Sequence, residues 1–193
     1  MPLKRWVAAA VVAVLACPAV AATGAAFAAP AKARGPVVLF AVPDLRWTDL
    51  AAMPTLRRLA GRGAVGVLSV RSQGESTRCG DGLLELSAGT RVPSGLVSCA
   101  IDAATLDRVR AGYRHGRYDA RVGLLGDHVN GTTAAVGAGA PAVVAASTGP
   151  APPVTSLRQA LAAGASVVVI VDTQLYDDPN RAAAAASVDQ RLA

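Results

Sequence analysis

Apolar residues recur along this chain in short blocks, separated by polar turns and by runs of helical spacing. Val37-Val38-Leu39-Phe40-Ala41-Val42 is a continuous apolar run between two prolines. Its shortness and β-branching predict a strand buried on both faces, as in a parallel sheet. Pro54 to Arg62 follows as a helix, with proline in its first turn, Leu56 and Leu59 on one face, and Gly61 and Gly63 at its end. Ala64 to Val70 reads as a second strand and Leu83 to Ala88 as a short helix ending near Gly89. Helical patterns also cover 103–112 and 122–129, the latter stopped by Asn130-Gly131. Thr132 to Val136 is a third strand. Ala142 to Ala146 is apolar without a clear period, and 148–153 is a Gly/Pro turn region. Ser156 to Ala163 is a helix with Ser156 as N-cap and Gly164 as its stop. Ser166 to Val171 is the strongest strand signal, a polar loop follows over 172–180, and an alanine-rich helix runs from Arg181 to Leu192. Strands that alternate with helices predict an α/β fold, a mostly parallel sheet with helices on both faces.

The N-terminus breaks this rhythm. Lys4 and Arg5 precede a charge-free stretch from Trp6, and Ala26-Phe27-Ala28 is a small-x-small cleavage pattern. Residues 1–28 therefore read as a secretory signal, or as an uncleaved signal anchor long enough to span a bilayer. Residues 29–36 are a small-residue linker, and 37–193 are the folded domain. The reading places that domain outside the cytoplasm, extracellular or on the outer face of the membrane. Membrane attachment would then run through the N-terminal segment if it is retained.

The net charge is +6, and taking away Lys4 and Arg5, the only charges in residues 1–28, leaves +4. The arginines are scattered, with few aromatics beside them, which argues against a nucleic-acid partner. Outside the leader, Cys79 and Cys99 form an even pair, and in an oxidising compartment such a pair predicts a disulfide. Gly137-Ala138-Gly139-Ala140-Pro141-Ala142 fits G-x-G-x-x-A, but no acid appears until Asp172. A dinucleotide or small-ligand site is thus a minor alternative to a tight turn that needs small residues.

Sites in open α/β sheets lie beyond the carboxyl ends of the strands. Three such loops can be placed: 43–47, 71–82 and 172–180. They hold Asp44, Ser76, Thr77, Cys79, Asp81, Asp177 and Asp178. Taken alone, these acids, with Asp49, read as loop and capping residues.

Together these residues carry a resemblance. A strand followed by "PDLRW", then "MPTLRRLAGRGAVGVLSVRS", then "STRCGDGLLELSAGTR", is similar to the opening of the alkaline phosphatase-like superfamily, which includes phosphodiesterases, sulfatases and phosphoglycerate mutases. The ending "VVVIVDTQLYDDPNRAAAAASVDQRLA" also resembles a family stretch, and actinobacterial membrane-anchored members are the nearest in pattern. The resemblance covers about residues 36–193 and implies the N-terminal half of such an ectodomain, a truncated member. It implies two divalent metals held by Asp and His, zinc or manganese, and a Ser, Thr or Cys-derived nucleophile. On this chain the metal candidates are Asp44, Asp177 and Asp178, and the nucleophile candidates are Cys79 and Thr77. The sequence departs from that pattern. The strand-end acid, Asp44, is displaced by one residue, and a shift of one turns a side chain to the other face. No histidine follows His128, and neither His115 nor His128 matches a family ligand. The expectation is an exported cell-envelope domain of phosphatase-like pattern without catalysis, a pseudoenzyme that needs no cofactor. The alternative is a metal-dependent phosphoesterase or sulfatase. A half-sheet would also leave a strand edge for self-association or a protein partner.

Overall fold

In the computed structural model, residues 35–66, 76–113 and 120–193 are described. The leader, most of the linker, part of the strand expected over 64–70, and His115 lie outside them. Three strands form one all-parallel sheet: β1 (Val37–Ala41), β2 (Thr133–Val136) and β3 (Val167–Val171), in the order β1-β3-β2. The register pairs Leu39 with Val169 and Ala135 with the same residue on the other side. The strongest strand of the sequence is therefore the central one, as expected for the segment that must be apolar on both faces.

Alternation along the strands sorts the core into two layers. Leu39, Ala41, Ala135, Val169 and Val171 point into a cluster built with Leu83, Leu84, Val143 and Val144. These come from α2 (Cys79–Ala88) and α5 (Ala140–Val144). Phe40 faces the other way, onto Met53, Leu175, Ala185 and Val188. Val168 and Ala134 pack there on Ala160 of α6 (Leu157–Ala162). Helices thus cover both faces, and the chain is mixed α/β as its pattern predicts. The remaining elements are a 3-10 turn (Trp47–Ala52), α1 (Pro54–Ala60), α3 (Ala103–Tyr113), α4 (Leu124–His128) and α7 (Arg181–Leu192).

Most element boundaries fall within two residues of the pattern. Ser156 caps α6 as expected: its hydroxyl accepts from the Gln159 amide (3.2 Å), and the Gln159 side chain accepts from the Ser156 amide (3.1 Å). Helix α2 starts four residues earlier than expected. Gly80 and Gly82 conceal that first turn, because glycine disfavours helix. At Gly80 the reason is packing, since an added Cβ would lie 2.6 Å from the Leu96 side chain and 2.7 Å from the Ser98 carbonyl. The ambiguous segment 142–146 holds the end of α5.

Helix α1 has no cap of its own. The carboxylate of Asp189, from α7, accepts the amides of Thr55 and Leu56, both at 2.9 Å. Burial opposes ionisation of Asp189, but the two amides and the Thr55 hydroxyl outweigh it, and its pKa is lowered. The far end of the chain therefore fastens an early helix. On the same helix, Arg191 bonds to Asp172 just beyond β3 and to Gln174 (2.7 Å). The "VDQRL" stretch that resembles a family motif is thus a structural clasp.

Candidate functional site

All three loops expected to form a site do meet. A cleft of about 910 Å³ opens at the carboxyl end of β1. Its walls include Asp44 from the first loop, Thr77 and Cys79 from the second, and Tyr176 and Asp177 from the third. Asp178 does not line it; its carboxylate accepts the Asn180 amide at 2.7 Å and closes a turn. Asp81 also turns away, accepting from the Ser94 hydroxyl (2.5 Å) and the Leu96 amide (3.2 Å). Asp44 and Asp177 both sit in left-handed backbone, at φ 60° and 57°. Non-glycine residues adopt this at a cost, and Asp is among those that tolerate it.

The state of each candidate decides what the cleft can do. Cys79 is bonded to Cys99. The disulfide expectation holds, and in this form Cys79 has no thiolate with which to attack a substrate. Thr77 remains at the cleft wall. Asp44 is engaged by two arginines. Arg181 Nη1 donates to its carboxylate at 2.7 Å and Nη2 to its carbonyl at 2.6 Å, while Arg46 Nη2 reaches it at 3.1 Å. The same Arg181 guanidinium donates to Asp49 at 2.6 and 3.2 Å. The Asp49 carboxyl is held below its ordinary range, chiefly by Arg181, with the Arg46 amide adding to it.

A guanidinium therefore occupies the space between the acids at the end of β1. Its fork matches carboxylates and carbonyls in a fixed plane, and it cannot be deprotonated. A divalent ion there would need several oxygens converging on one point. Here the oxygens of Asp44 and Asp49 converge on Arg181. Among the described residues, no three His, Cys, Asp or Glu side chains are grouped to hold a metal. The donor set as arranged does not fit a divalent ion. His128 is elsewhere, with Nδ1 2.9 Å from the Leu124 carbonyl within its own helix.

Two residues escaped the sequence reading. Arg181 sits in the first turn of α7, where the helix dipole disfavours a cation. That misplacement was the available signal that its charge is used elsewhere. Glu85 is the second, a lone acid within the apolar run Leu83–Ala88. It lines the cleft and is only 5% exposed, and its carboxylate oxygens make no hydrogen bond. Burial raises its pKa. The nearby Val92 amide and Arg91 work against this, and the Asp81 charge adds to it.

A folded-state pKa above the unfolded one means that the native protein holds this proton more tightly. The stabilisation is complete below the ordinary value of 4.5 and is lost as pH rises through the raised value. Glu85→Gln, which mimics the protonated acid, is expected to melt with the parent at pH 4. At pH 8 it should be more stable, by on the order of 1 kcal/mol, the scale of an unsatisfied buried polar group. Thermal melts across that range check this, and parallel curves for the two proteins would refute it.

The G-x-G-x-x-A segment has a structural cause. A Cβ at Gly137 would stand 2.2 Å from the Val171 carbonyl oxygen, and one at Gly139 2.2 Å from that of Cys99. Both glycines also have positive φ. They let two backbones approach within the protein itself. No family model, no curated protein and no solved structure matches the chain.

Proposed function

We propose that the chain is an exported cell-envelope domain, phosphatase-like in the order of its elements, that binds a ligand or partner without hydrolysing it. The observation that carries this reading is the Arg181 guanidinium bridging Asp44 and Asp49. In the metal-dependent hydrolases that the sequence resembles, cation charge at this strand end belongs to metal that activates a nucleophile and stabilises the departing oxygen. An arginine side chain can bind an anion but offers no exchangeable coordination site. The Cys79–Cys99 bond supports export, because such bridges persist in oxidising compartments. Among the described residues no helix is long and apolar enough to cross a membrane.

The test is metal content and bis-p-nitrophenyl phosphate hydrolysis by the full chain, purified with zinc and manganese present. The expected result is no stoichiometric metal and no turnover above that of a Thr77→Ala variant, in protein shown to be folded. Bound metal with turnover lost in Thr77→Ala and Asp44→Ala would instead establish the phosphoesterase alternative.

A further inference from the structure

On the first loop and helix of the domain lies a second surface, which shares Arg46 with the cleft. Trp47 is 70% exposed, Val65 61% and Leu59 48%. With Leu45, Leu50 and Leu56 they form an apolar groove of about 780 Å³. Single exposed apolar residues need no explanation, but a contiguous patch built around a tryptophan does.

The charges around this groove are one-sided. Arg46 forms part of its wall. Arg57 follows Leu56, and Arg62 lies between Ala60 and Ala64, which also line it; both arginines are exposed. Between residues 45 and 66 the sequence holds one acid, Asp49, and it is buried against Arg181. The acids on neighbouring elements are also engaged, Asp44 by Arg181 and Arg46, and Asp189 by the amides of α1. Arg46 is paired with Asp44, whereas the exposed Arg57 and Arg62, on the same segment as the groove, pair with no acid among the described residues. An exposed tryptophan among aliphatic side chains, with these two uncompensated arginines on the same segment, is complementary to an anionic interface with an apolar interior.

We propose that this face docks on the surface of an anionic lipid bilayer. Trp47, Leu59 and Val65 would enter the headgroup boundary, and Arg57 and Arg62 would pair with lipid phosphates. Tryptophan favours that depth because its ring is largely apolar while its N–H still finds a partner. Arginine stems extend along apolar surface while their heads remain among the phosphates. The attachment is interfacial and reversible, and is distinct from any anchor in residues 1–28.

Two tryptophans, Trp6 and Trp47, occur in the chain. In a full-length Trp6→Phe background, Trp47 is the sole tryptophan, so its signal is separate from any binding through the N-terminal segment. Its emission is expected to shift to the blue with phosphatidylcholine vesicles containing phosphatidylglycerol. Lipids brominated near the top of the acyl chain should quench it. Phosphatidylcholine alone should give little shift. Arg57→Gln with Arg62→Gln should lower partitioning about thirtyfold, roughly fivefold per arginine. Raising salt should weaken the parent's binding in the same direction, which covers a variant that fails to fold. Unchanged Trp47 emission with anionic vesicles overturns the proposal and leaves an acidic protein as the partner of this face. A shift of equal size with neutral vesicles, or one insensitive to salt and to the arginines, overturns it as well.

Discussion

Gly139→Ala is expected to cost about 2–6 kcal/mol and to prevent stable folding at physiological temperature. Two effects combine. The residue has φ 83°, a left-handed conformation that an L side chain adopts under strain of roughly 1–3 kcal/mol. Its new Cβ would lie 2.2 Å from the Cys99 carbonyl oxygen and 2.7 Å from Leu83 Cδ1. Leu83 can rotate, but the backbone carbonyl beside a disulfide cannot easily withdraw, and overpacking of this kind costs about 1–3 kcal/mol more. Gly149→Ala is the control. It also has positive φ, yet nothing lies within 4 Å of its Cβ position, so it should show the backbone strain alone. Chemical denaturation of the two variants separates the terms. Equal losses would mean that the close approach at Gly139 does not matter.

Removing the disulfide acts on the same seam. Cys79→Ser with Cys99→Ser should destabilise the domain by about 3 kcal/mol, the value expected for a closed loop of this length in the chain-entropy model. Cys79 opens α2 and lines the cleft, and Cys99 lies under Gly139. The bridge thus ties the first turn of a core helix to the loop that packs against the turn into α5. Reduction of the parent protein should reproduce the loss, and reoxidation should reverse it. Identical melting of oxidised and reduced forms would show that the bridge contributes nothing. A gain of p-nitrophenyl phosphate turnover on reduction would restore Cys79 as a nucleophile, a result that the Arg181 clasp argues against.

The fold was largely legible because its signals are local. Proline on both sides of β1, the five Val/Ile residues of β3, and the Ser156–Gln159 capping box each specify structure from neighbouring residues. Patterning also grouped Asp44, Thr77 and Asp177, which line one cleft. What stayed hidden is non-local. Arg181, one of the two partners of Asp44, is 137 residues away in sequence, and Asp189 caps a helix 134 residues earlier. No spacing rule announces such contacts. The resemblance selected Asp44 as a metal ligand, whereas the structure gives it to a guanidinium. Glu85 is the converse case: the anomaly was visible as an acid among leucines, but its lack of partners could be seen only in three dimensions.

The strand order has a bearing on how the protein is made. The centre of the sheet, β3, is synthesised last of the three strands, and among the described residues both β1 and β2 pair only with it. While the ribosome is still upstream of Val167, neither earlier strand has its native partner. Their union also requires closing a loop that spans most of the domain, which slows folding. The sheet therefore cannot close until β3 has emerged. If the proposed export holds, late closure of the sheet would suit a chain that must pass threaded through a translocation channel.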